Sequence, residues 1–359
     1  PRMEKSLLKK HGKLLSVAPE EMPYVFPVPA SLPETRPIVV GFGPAGIFCG
    51  LMLARSGFRP IVLERGSSMA HRVEAVDAFF REGALQTECN LQFGEGGAGA
   101  FSDGKLNTLV KDKSFRGYFA LEQLVKAGAP EELLWLNKPH VGTDLLREVI
   151  VNLREEICSL GGEVRFDTKV EELLTEDGSV KGVRLADGTS IESDRVVLAI
   201  GHSARDTFRM LREKGIPMEK KPFSVGVRIE HPQSLIDLSQ YGCERGAFPP
   251  ADYKLVCHTE NGRTVYSFCM CPGGVVVAAA SDEDGVVTNG MSYHARDGKN
   301  ANSALLCEIF PQDVGEDLFA GMEFQKELEK TAFRLGGGGH KAPAQRVGDF
   351  LENKPSVAF

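Results

Sequence analysis

Residues 38–50, "IVVGFGPAGIFCG", decide the fold, because a short β-branched run leads through a glycine-rich turn into an apolar run. The first run predicts a strand, and the second predicts a helix that is buried on nearly all sides. The turn between them matches G-x-G-x-x-G at Gly41, Gly43 and Gly46. In this strand–turn–helix context the pattern is the dinucleotide-binding fingerprint of a β-α-β unit.

Each glycine of this turn has a different structural role. Gly41 permits the tight turn, Gly43 lets a pyrophosphate approach the backbone, and Gly46 lets the helix pack close to the strand. The phosphates would meet the helix N-terminus, where unpaired N–H groups and the helix dipole favour anions. Glu64 ends the next predicted strand, where an acidic side chain binds ribose hydroxyls. Together these features favour dinucleotide binding over a tight turn that holds no ligand.

Residues 93–105, "FGEGGAGAFSDGK", contain a second G-x-G-x-x-G, and we call them the glycine-rich loop. A buried strand before it, a helix behind it and an acidic residue about 20 positions later are all missing, so a second turn of the same kind is not predicted. Such a loop can still present a concave row of N–H groups or let a flat ring approach. The alternatives are a flexible surface loop and a functional loop, and Glu95, Ser102, Asp103 and Lys105 favour the latter.

The order of the remaining patterns predicts an α/β protein. A Rossmann-like domain contains a β-meander crossover, indicated by Asp177-Gly178 and Asp187-Gly188. "DRVVLAIG" then predicts a fully buried strand that returns to the first sheet, and a mainly antiparallel β domain follows. The expected divisions are 1–36, an N-terminal helix and proline-rich linker; 37–219, the dinucleotide-binding domain; 220–335, an inserted substrate or cap domain; and 336–359, a return segment toward the first domain.

Composition narrows the possible partners. The net charge of −7 gives no basic surplus for nucleic acid, and no apolar run approaches the roughly 18 residues of a membrane span. The eight cysteines form no C-x-x-C pair, which predicts reduced thiols in a cytoplasmic protein. A small-molecule substrate is therefore expected, while the oligomeric state is not indicated.

Four local patterns lead to further expectations. Thr143 is expected to cap the helix that follows it, and Ser203 with Asp206 matches a capping box. Cys269 and Cys271 would share one face of a strand, and small buried hydrophobes are favoured over a redox pair or half of a metal site, so no metal is expected. "NGMSYHARDGKNANS", residues 289–303, either lines a substrate cleft or forms a solvated loop.

The chain resembles the bacterial FAD-dependent dehydrogenases often called NAD(FAD)-utilising dehydrogenases, with a glutathione-reductase-like FAD fold. The resemblance runs from Pro37 to the end. Its motifs are "VVGFGPAG", "LERG", "NLQFGEGGAGAFSDGKLNT", "KPHVGTD", "LAIGHSARDTF", "KPFSVGVRIEHPQ", "FCMCPGG" and "NGMS…NANSAL". FAD domains of this type end with a strand, a Gly-Asp or Gly-Glu turn and a small-residue helix. Only Gly348-Asp349 is a candidate for that turn, but no apolar strand precedes it and no small-residue helix follows it. The resemblance therefore implies either a fragment or a shortened member without this segment.

The resemblance implies FAD as the cofactor, and it assigns roles to particular residues. Those implied for FAD are Gly41, Gly43, Pro44, Ala45 and Gly46 at the pyrophosphate; Glu64 at the ribose; Arg65 and Val170 beside the adenosine; Gly97, Ala98 and Gly99 along the flavin; and Gly201 at the end of the return strand. His202 beside it is an open candidate for a cofactor contact. Lys105 and Asp103 are the candidate catalytic groups, which would tune the flavin's charge or shuttle a proton.

The expected function is that of an FAD-dependent oxidoreductase, a dehydrogenase or reductase acting on a small molecule. Reduced nicotinamide, NAD(P)H, is one candidate for a transient electron donor. Two alternatives stay open on the sequence: a flavin-dependent monooxygenase and a non-catalytic module that binds FAD or another nucleotide.

Overall fold

The computed structural model describes residues 2–15, 17, 24–27, 31–106 and 111–357. The helices are α1 (Arg2–His11), α2 (Pro44–Arg55), α3 (Met69–Glu82), α4 (Arg116–Lys126), α5 (Thr143–Ser159), α6 (Arg205–Glu213), α7 (Gln233–Tyr241), α8 (Pro311–Val314), α9 (Ala320–Leu335) and α10 (Val347–Leu351). Of the predicted proline-rich linker, residues 18–23 and 28–30 lie outside the described residues. Gly348 and Asp349 lie within α10.

A parallel sheet forms the centre of the N-terminal part. Its strands are β1 (Ile38–Val40), β2 (Ile61–Leu63), β3 (Glu163–Arg165) and β7 (Val196–Leu198), in the order β3-β2-β1-β7. All three pairings are parallel. Between β3 and β7 the chain forms the predicted meander, β4 (Val170–Glu176), β5 (Ser179–Leu185) and β6 (Ser190–Glu192). The first sheet therefore combines β-α-β connections with an antiparallel crossover.

Alternating side chains of the parallel strands pack on two different layers. Val39 and Val62 face the helical side, where they join the core with α2 and α5. Ile38 and Val40 face the meander and pack in a core that includes Val183 of β5. Because successive side chains of a strand point to opposite faces, one three-residue apolar strand supplies both layers.

The C-terminal half is built around an antiparallel sheet. Its strands are β8 (Phe223–Pro232), β9 (Val256–His258), β10 (Thr264–Cys271) and β13 (Asn300–Ile309), in the order β8-β13-β10-β9. The strands β11 (Val275–Ala279) and β12 (Val287–Met291) pair as a hairpin. Val277 and Met291 of this hairpin belong to the same core as Val39, so the two halves share packed side chains. The predicted domain limits themselves stay predictions.

Two sequence expectations about these elements are wrong. The return strand β7 is not fully buried, since Val197 is 39% and Leu198 38% exposed. Among the described residues it pairs only with β1, so it forms an edge of the sheet. Thr143 does not cap α5; it is the first helical residue, and its hydroxyl donates to the Ala100 carbonyl oxygen at 2.8 Å. Gly142 occupies the cap position instead.

Candidate functional site

A cleft of about 670 Å³ opens where β1, β2 and β7 end, beside the glycine turn and the glycine-rich loop. This volume lies within the range of about 300–1,000 Å³ that is usual for small-molecule and cofactor sites. It opens at the carboxyl ends of parallel strands, where open α/β sheets bind their ligands. The residues expected to hold FAD that line the cleft are Gly41, Gly43, Pro44, Ala45, Glu64, Arg65, Gly97, Ala98, Gly99, Val170, Gly201 and His202.

Close packing explains two of the three glycines in the turn. A Cβ at Gly41 would lie 2.4 Å from the Ala199 carbonyl oxygen, and Gly41 has a φ of +102°, which favours glycine. A Cβ at Gly46 would lie 1.9 Å from the Gly41 carbonyl oxygen. Gly46 is buried behind the turn and does not line the cleft. Both glycines are therefore required by the protein's own backbone.

Gly43 differs from these two glycines. Its φ of −79° is open to any residue, and an added Cβ would meet only Gly97 Cα, at an ordinary 3.7 Å. Gly43 is also the N-cap residue of α2, so its surface borders the helix N-terminus inside the cleft. Protein packing leaves this glycine unexplained, whereas an anion lying against the helix N-terminus explains it. The turn therefore fits the pyrophosphate of a dinucleotide.

The glycine-rich loop packs directly on the first glycine turn. The Gly96 N–H donates to the Phe42 carbonyl oxygen at 2.9 Å. A Cβ at Gly97 would lie 2.9 Å from Gly43 Cα, and a Cβ at Gly99 would lie 3.8 Å from Pro44 Cγ. Residues Gly97–Phe101 form one 3₁₀ turn instead of a long helix, as the absence of a helical pattern predicts. The two glycine motifs thus form adjoining walls of one cleft.

Arg72 of α3 stabilises the glycine-rich loop by binding its backbone carbonyl oxygens. Its guanidinium is fully buried and donates to the carbonyl oxygens of Asn90, Glu95 and Gly97 at 2.9, 2.6 and 2.9 Å. Burial lowers its pKa to about 10, despite the carboxylate of Glu64 nearby. Nothing in the sequence singles out Arg72, because an arginine inside an amphipathic helix carries no pattern that separates it from a surface charge.

Glu95, expected to be a functional polar group, is a structural one. Its carboxylate is 0% exposed, accepts from the Met69 N–H at 2.6 Å and pairs with Arg154 at 2.8 Å. Since Met69 begins α3, Glu95 binds an otherwise unpaired N–H of that helix terminus. It anchors the loop between α3 and α5 without facing the cleft.

Glu64 lies at the end of β2 with its carboxylate almost buried. One oxygen, Oε2, accepts from the Phe42 N–H at 2.7 Å, and Oε1 accepts from Gly66 and Gly94 N–H groups, both at 2.9 Å. Each carboxylate oxygen offers about two acceptor positions, so Oε2 keeps one for a ligand hydroxyl. The same side chain therefore ties the glycine turn to the glycine-rich loop and borders the cleft.

Arg65 forms a charged border beside Glu64. Its guanidinium stacks on Phe93, 4.3 Å from the ring centroid, and donates two hydrogen bonds of 2.9 Å to Asp206. Asp206 also pairs with Lys169 at 2.8 Å, and although burial opposes this, Arg65 and Lys169 hold its pKa below the ordinary value. The predicted capping box is therefore wrong. Helix α6 begins at Arg205, with Ala204 at its N-cap position. Asp206 instead binds Arg65, which follows β2, and Lys169, which precedes β4 of the meander.

The end of β7 contributes Gly201 and His202. Gly201 has a φ of +68°, and no protein atom lies within 4 Å of an added Cβ, so its open side faces the cleft. His202 is exposed at the cleft and its Nδ1 lies 3.2 Å from the Ser203 hydroxyl. Partial desolvation and the Arg205 guanidinium lower the pKa of His202. A neutral imidazole can accept a hydrogen bond from a ligand there.

Asp103 and Lys105, the candidate catalytic groups, are not among the residues that line the cleft. Asp103 is 1% exposed, pairs with Arg296 and with Lys105 at 3.3 Å, and accepts from the Ser292 hydroxyl. Burial alone would raise the pKa of Asp103, but the two cations hold it below its usual range. We call these four residues the joint cluster. They fasten the glycine-rich loop to the C-terminal half, a placement that argues against proton shuttling.

The segment 289–303 does not line the described cleft, and it includes the end of β12, an exposed connection and the start of β13. Beside the joint cluster, the Thr143 N–H donates to the Ser292 carbonyl oxygen at 3.0 Å. The His294 ring stacks on His140, with centroids 5.2 Å apart, and the His294 N–H donates to Asp144 at 2.9 Å. Ser292, His294 and Arg296 of this segment therefore contact the glycine-rich loop and the start of α5.

Within the described part of the chain, no three His, Cys, Asp or Glu side chains gather as a metal site. No helix among the described residues is long and apolar enough to cross a bilayer.

Two family models match the chain. The model "Flavin containing amine oxidoreductase" matches residues 76–223, and "FAD-dependent protein, C-terminal domain-like" matches residues 222–359. An uncharacterized protein of Clostridium beijerinckii is 52% identical over 99% of this chain and 67% of its own length. Protein FixC of Escherichia coli O157:H7 is 30% identical over 56% of this chain and 44% of its own length. The chain thus spans about two thirds of one curated relative and less than half of the other.

Solved structures show weaker likeness. The tetracycline destructase Tet(51) is 16% identical, with a TM-score of 0.36 over 84% of this chain and 63% of its own. The halogenase PltM, in complex with phloroglucinol and FAD, is 13% identical, with a TM-score of 0.39 over 83% of this chain and 56% of its own. Scores this low carry no argument about activity.

The family follows from the sequence relatives. The Clostridium beijerinckii protein is similar over nearly the whole chain, and both family models describe flavin-dependent proteins. FAD is therefore the cofactor of the family, and its expected pyrophosphate position coincides with the unexplained glycine at position 43. The chain belongs to a family of FAD-dependent oxidoreductases.

Proposed function

We propose that this protein is an FAD-dependent dehydrogenase or reductase of the NAD(FAD)-utilising type, with a small organic molecule as its substrate. The observation that supports the FAD position is Gly43, which lines the cleft although an added Cβ there would not clash with any protein atom. Pro44 and Ala45 would share the pyrophosphate contact, since they open α2 and are exposed. FAD, when bound, supplies a flavin ring that accepts or donates a hydride or single electrons.

The proposed residue roles follow the walls of the cleft. Glu64 would accept from a ribose hydroxyl through Oε2, while Arg65 and Val170 would border the adenosine. The backbone of Gly97, Ala98 and Gly99 would lie along the flavin, and Gly201 and His202 would close the far side. These assignments rest on the positions of the residues in the cleft and on the family resemblance.

Asp103 and Lys105 receive a different role from the one expected from the sequence. We propose that they are positioning residues, which hold the glycine-rich loop against the C-terminal half. The support is that the Asp103 carboxylate is buried and engaged by three partners, so no lone acceptor is presented to a ligand. A proton shuttle would need access to the reacting atoms.

The electron donor and the reaction type are parts of the same proposal. NAD(P)H is the proposed transient donor, and a flavin-dependent monooxygenase is the alternative reaction. A cytoplasmic location is proposed as well, because the eight cysteines are all free thiols.

The test begins with the absorbance of the purified protein. A flavin spectrum, or its appearance on titration with FAD, is expected, and its absence at saturating FAD would refute the proposed cofactor site. NADH and NADPH are then mixed anaerobically with the FAD-loaded protein, and bleaching of the flavin band would support a nicotinamide donor. Isotopic oxygen in a product would favour the monooxygenase over the dehydrogenase.

A further inference from the structure

Cys269 and Cys271 on β10 are in contact because the strand is irregular between them. The register passes from Phe268 opposite Ala304 to Cys271 opposite Asn302, so two residues of β10 oppose one residue of β13. This is a β-bulge, and Cys269 within it has a φ of +49°. The expected arrangement on one face of a regular strand is therefore wrong. The Cys271 thiol instead lies 3.3 Å from the Cys269 carbonyl oxygen.

Positive charges surround this thiol pair. The Lys105 ammonium lies 3.7 Å from Cys271 Sγ and donates to the Met270 carbonyl oxygen between the two cysteines. The Arg228 guanidinium lies 3.4 Å from the Cys269 carbonyl oxygen. Cations this close to two adjacent thiols favour the loss of one proton from the pair. A hydrogen bond from Cys271, and then the charges of Lys105 and Arg228, lower the pKa of Cys269 against the effect of burial.

The two thiols differ in exposure and in proton affinity. Cys271 is 0% exposed, and its hydrogen bond to Cys269, together with burial, raises its pKa. Cys269 is partly exposed, so a small molecule in solvent can reach it. The pair therefore joins an accessible thiolate to a protected thiol that stays beside it. The expectation of two small buried hydrophobes fits Cys271 but not Cys269.

We propose that Cys269 and Cys271 form a dithiol site that a hydroperoxide oxidises to an intramolecular disulfide. The Cys269 thiolate attacks the peroxide, the O–O bond breaks, and the leaving oxygen takes a proton to depart as water or an alcohol, which leaves a sulfenic acid. The Cys271 sulfur then attacks the Cys269 sulfur, and the S–O bond breaks. Its thiol proton leaves with that hydroxyl group as water. Two thiols lose two electrons in total, and the peroxide accepts them.

The site differs from the FAD cleft, but it is linked to it. Lys105 contacts both Cys271 and Asp103, and it ends the glycine-rich loop. Formation of the disulfide changes the Cys271 sulfur that this ammonium contacts at 3.7 Å, so the loop beside the expected flavin position loses one of its attachments. The proposal does not depend on the reaction that the flavin performs.

The test treats the FAD-loaded protein with a few equivalents of hydrogen peroxide and then alkylates the remaining thiols. Peptide mass spectrometry should show a Cys269–Cys271 disulfide formed several-fold faster than any oxidation of Cys158 or Cys243. These two cysteines are more exposed than Cys269 and control for accessibility. Equal or faster oxidation of the controls, or a wild-type protein that stops at the sulfenic acid, would overturn the proposal.

Two variants separate the roles of the thiols. In Cys271→Ser, a sulfenic acid should accumulate at Cys269 and be trapped by dimedone, since no resolving thiol remains. In Cys269→Ser, Cys271 should stay reduced at the same peroxide dose because it is buried. Circular dichroism and FAD content check that both variants fold. Oxidation of Cys271 in the folded Cys269→Ser variant would contradict the assigned order of attack.

A third variant tests the cation. Lys105→Met should slow alkylation of Cys269 by iodoacetamide several-fold near neutral pH and move its pH profile upward. An unchanged profile in a folded Lys105→Met protein would show that the ammonium does not activate the pair.

Discussion

Replacing Gly43 with alanine tests whether this glycine is required for FAD binding or for the stability of the protein. The added methyl would meet only Gly97 Cα, at 3.7 Å, and the backbone has a φ of −79°. A glycine-to-alanine change at a compatible φ stabilises a protein by about 0.4–1 kcal/mol, and loss of a glycine N-cap offsets a similar amount. The free energy of unfolding without FAD should therefore change by less than about 1 kcal/mol.

FAD affinity should fall much further in this variant. The methyl would occupy the place where the pyrophosphate approaches the N-terminus of α2 and would weaken at least one hydrogen bond to a charged oxygen. Such a bond contributes about 1.5–3 kcal/mol, which corresponds to about a 10- to 150-fold rise in the dissociation constant. Gly43→Val should lose binding altogether, because its side chain is larger.

The assay is a titration of the FAD-free protein followed by flavin fluorescence, paired with urea unfolding of the same samples. Gly348→Ala is the matched control, since its methyl would meet nothing within 4 Å and lies outside the cleft. Gly46→Ala is the opposite case: its methyl would collide with the Gly41 carbonyl oxygen, so overpacking should lower stability by at least about 1–3 kcal/mol. Wild-type FAD affinity in a folded Gly43→Ala protein would refute the pyrophosphate placement.

Three more substitutions probe the supports of the cleft. Arg72→Met should destabilise the FAD-free protein by at least about 3 kcal/mol in urea unfolding, because several buried carbonyl oxygens lose a charged donor. Glu64→Gln should cost about 1–3 kcal/mol and weaken FAD binding, since an amide NH₂ group would face a backbone N–H. Asp103→Asn should cost about 3–5 kcal/mol at pH 7, because two partly buried cations lose their counter-charge. The lowered pKa of Asp103 means that its carboxylate stabilises the fold above its unfolded pKa of about 4 and that this stability is lost as the pH falls further. The gap between wild type and Asp103→Asn in unfolding experiments should therefore narrow below about pH 4, and a constant gap would contradict the assigned pairing.

Local patterns in the sequence were sufficient for β1, α2 and β2 of the first sheet and for the position of the cleft. The run from Ile38 to Gly46 contains its own strand, turn and helix start, and Asp177-Gly178 indicates the hairpin of the meander. These features depend on backbone conformation and on side-chain periodicity within a few residues. The separation of the two glycine motifs also follows from their flanking residues, because only the first one has a strand before it and a long helix after it.

Contacts between distant residues could not be predicted in this way. Asp206 matches a capping pattern three residues after Ser203, yet Arg65 and Lys169 bind it across the fold. The exposure of Val197 depends on what pairs with the outer edge of β7, which no local pattern records. The bulge at Cys269 likewise arises from the pairing of β10 with β13. Because of the bulge, strict alternation along the strand does not give the side of the sheet to which Cys269 points.

The joint cluster connects the glycine-rich loop to the C-terminal half through buried polar contacts. Asp103 belongs to the loop that walls the cleft, while Ser292 and Arg296 belong to the C-terminal half. Any shift of the C-terminal half relative to the parallel sheet would therefore strain these buried contacts or move the glycine-rich loop.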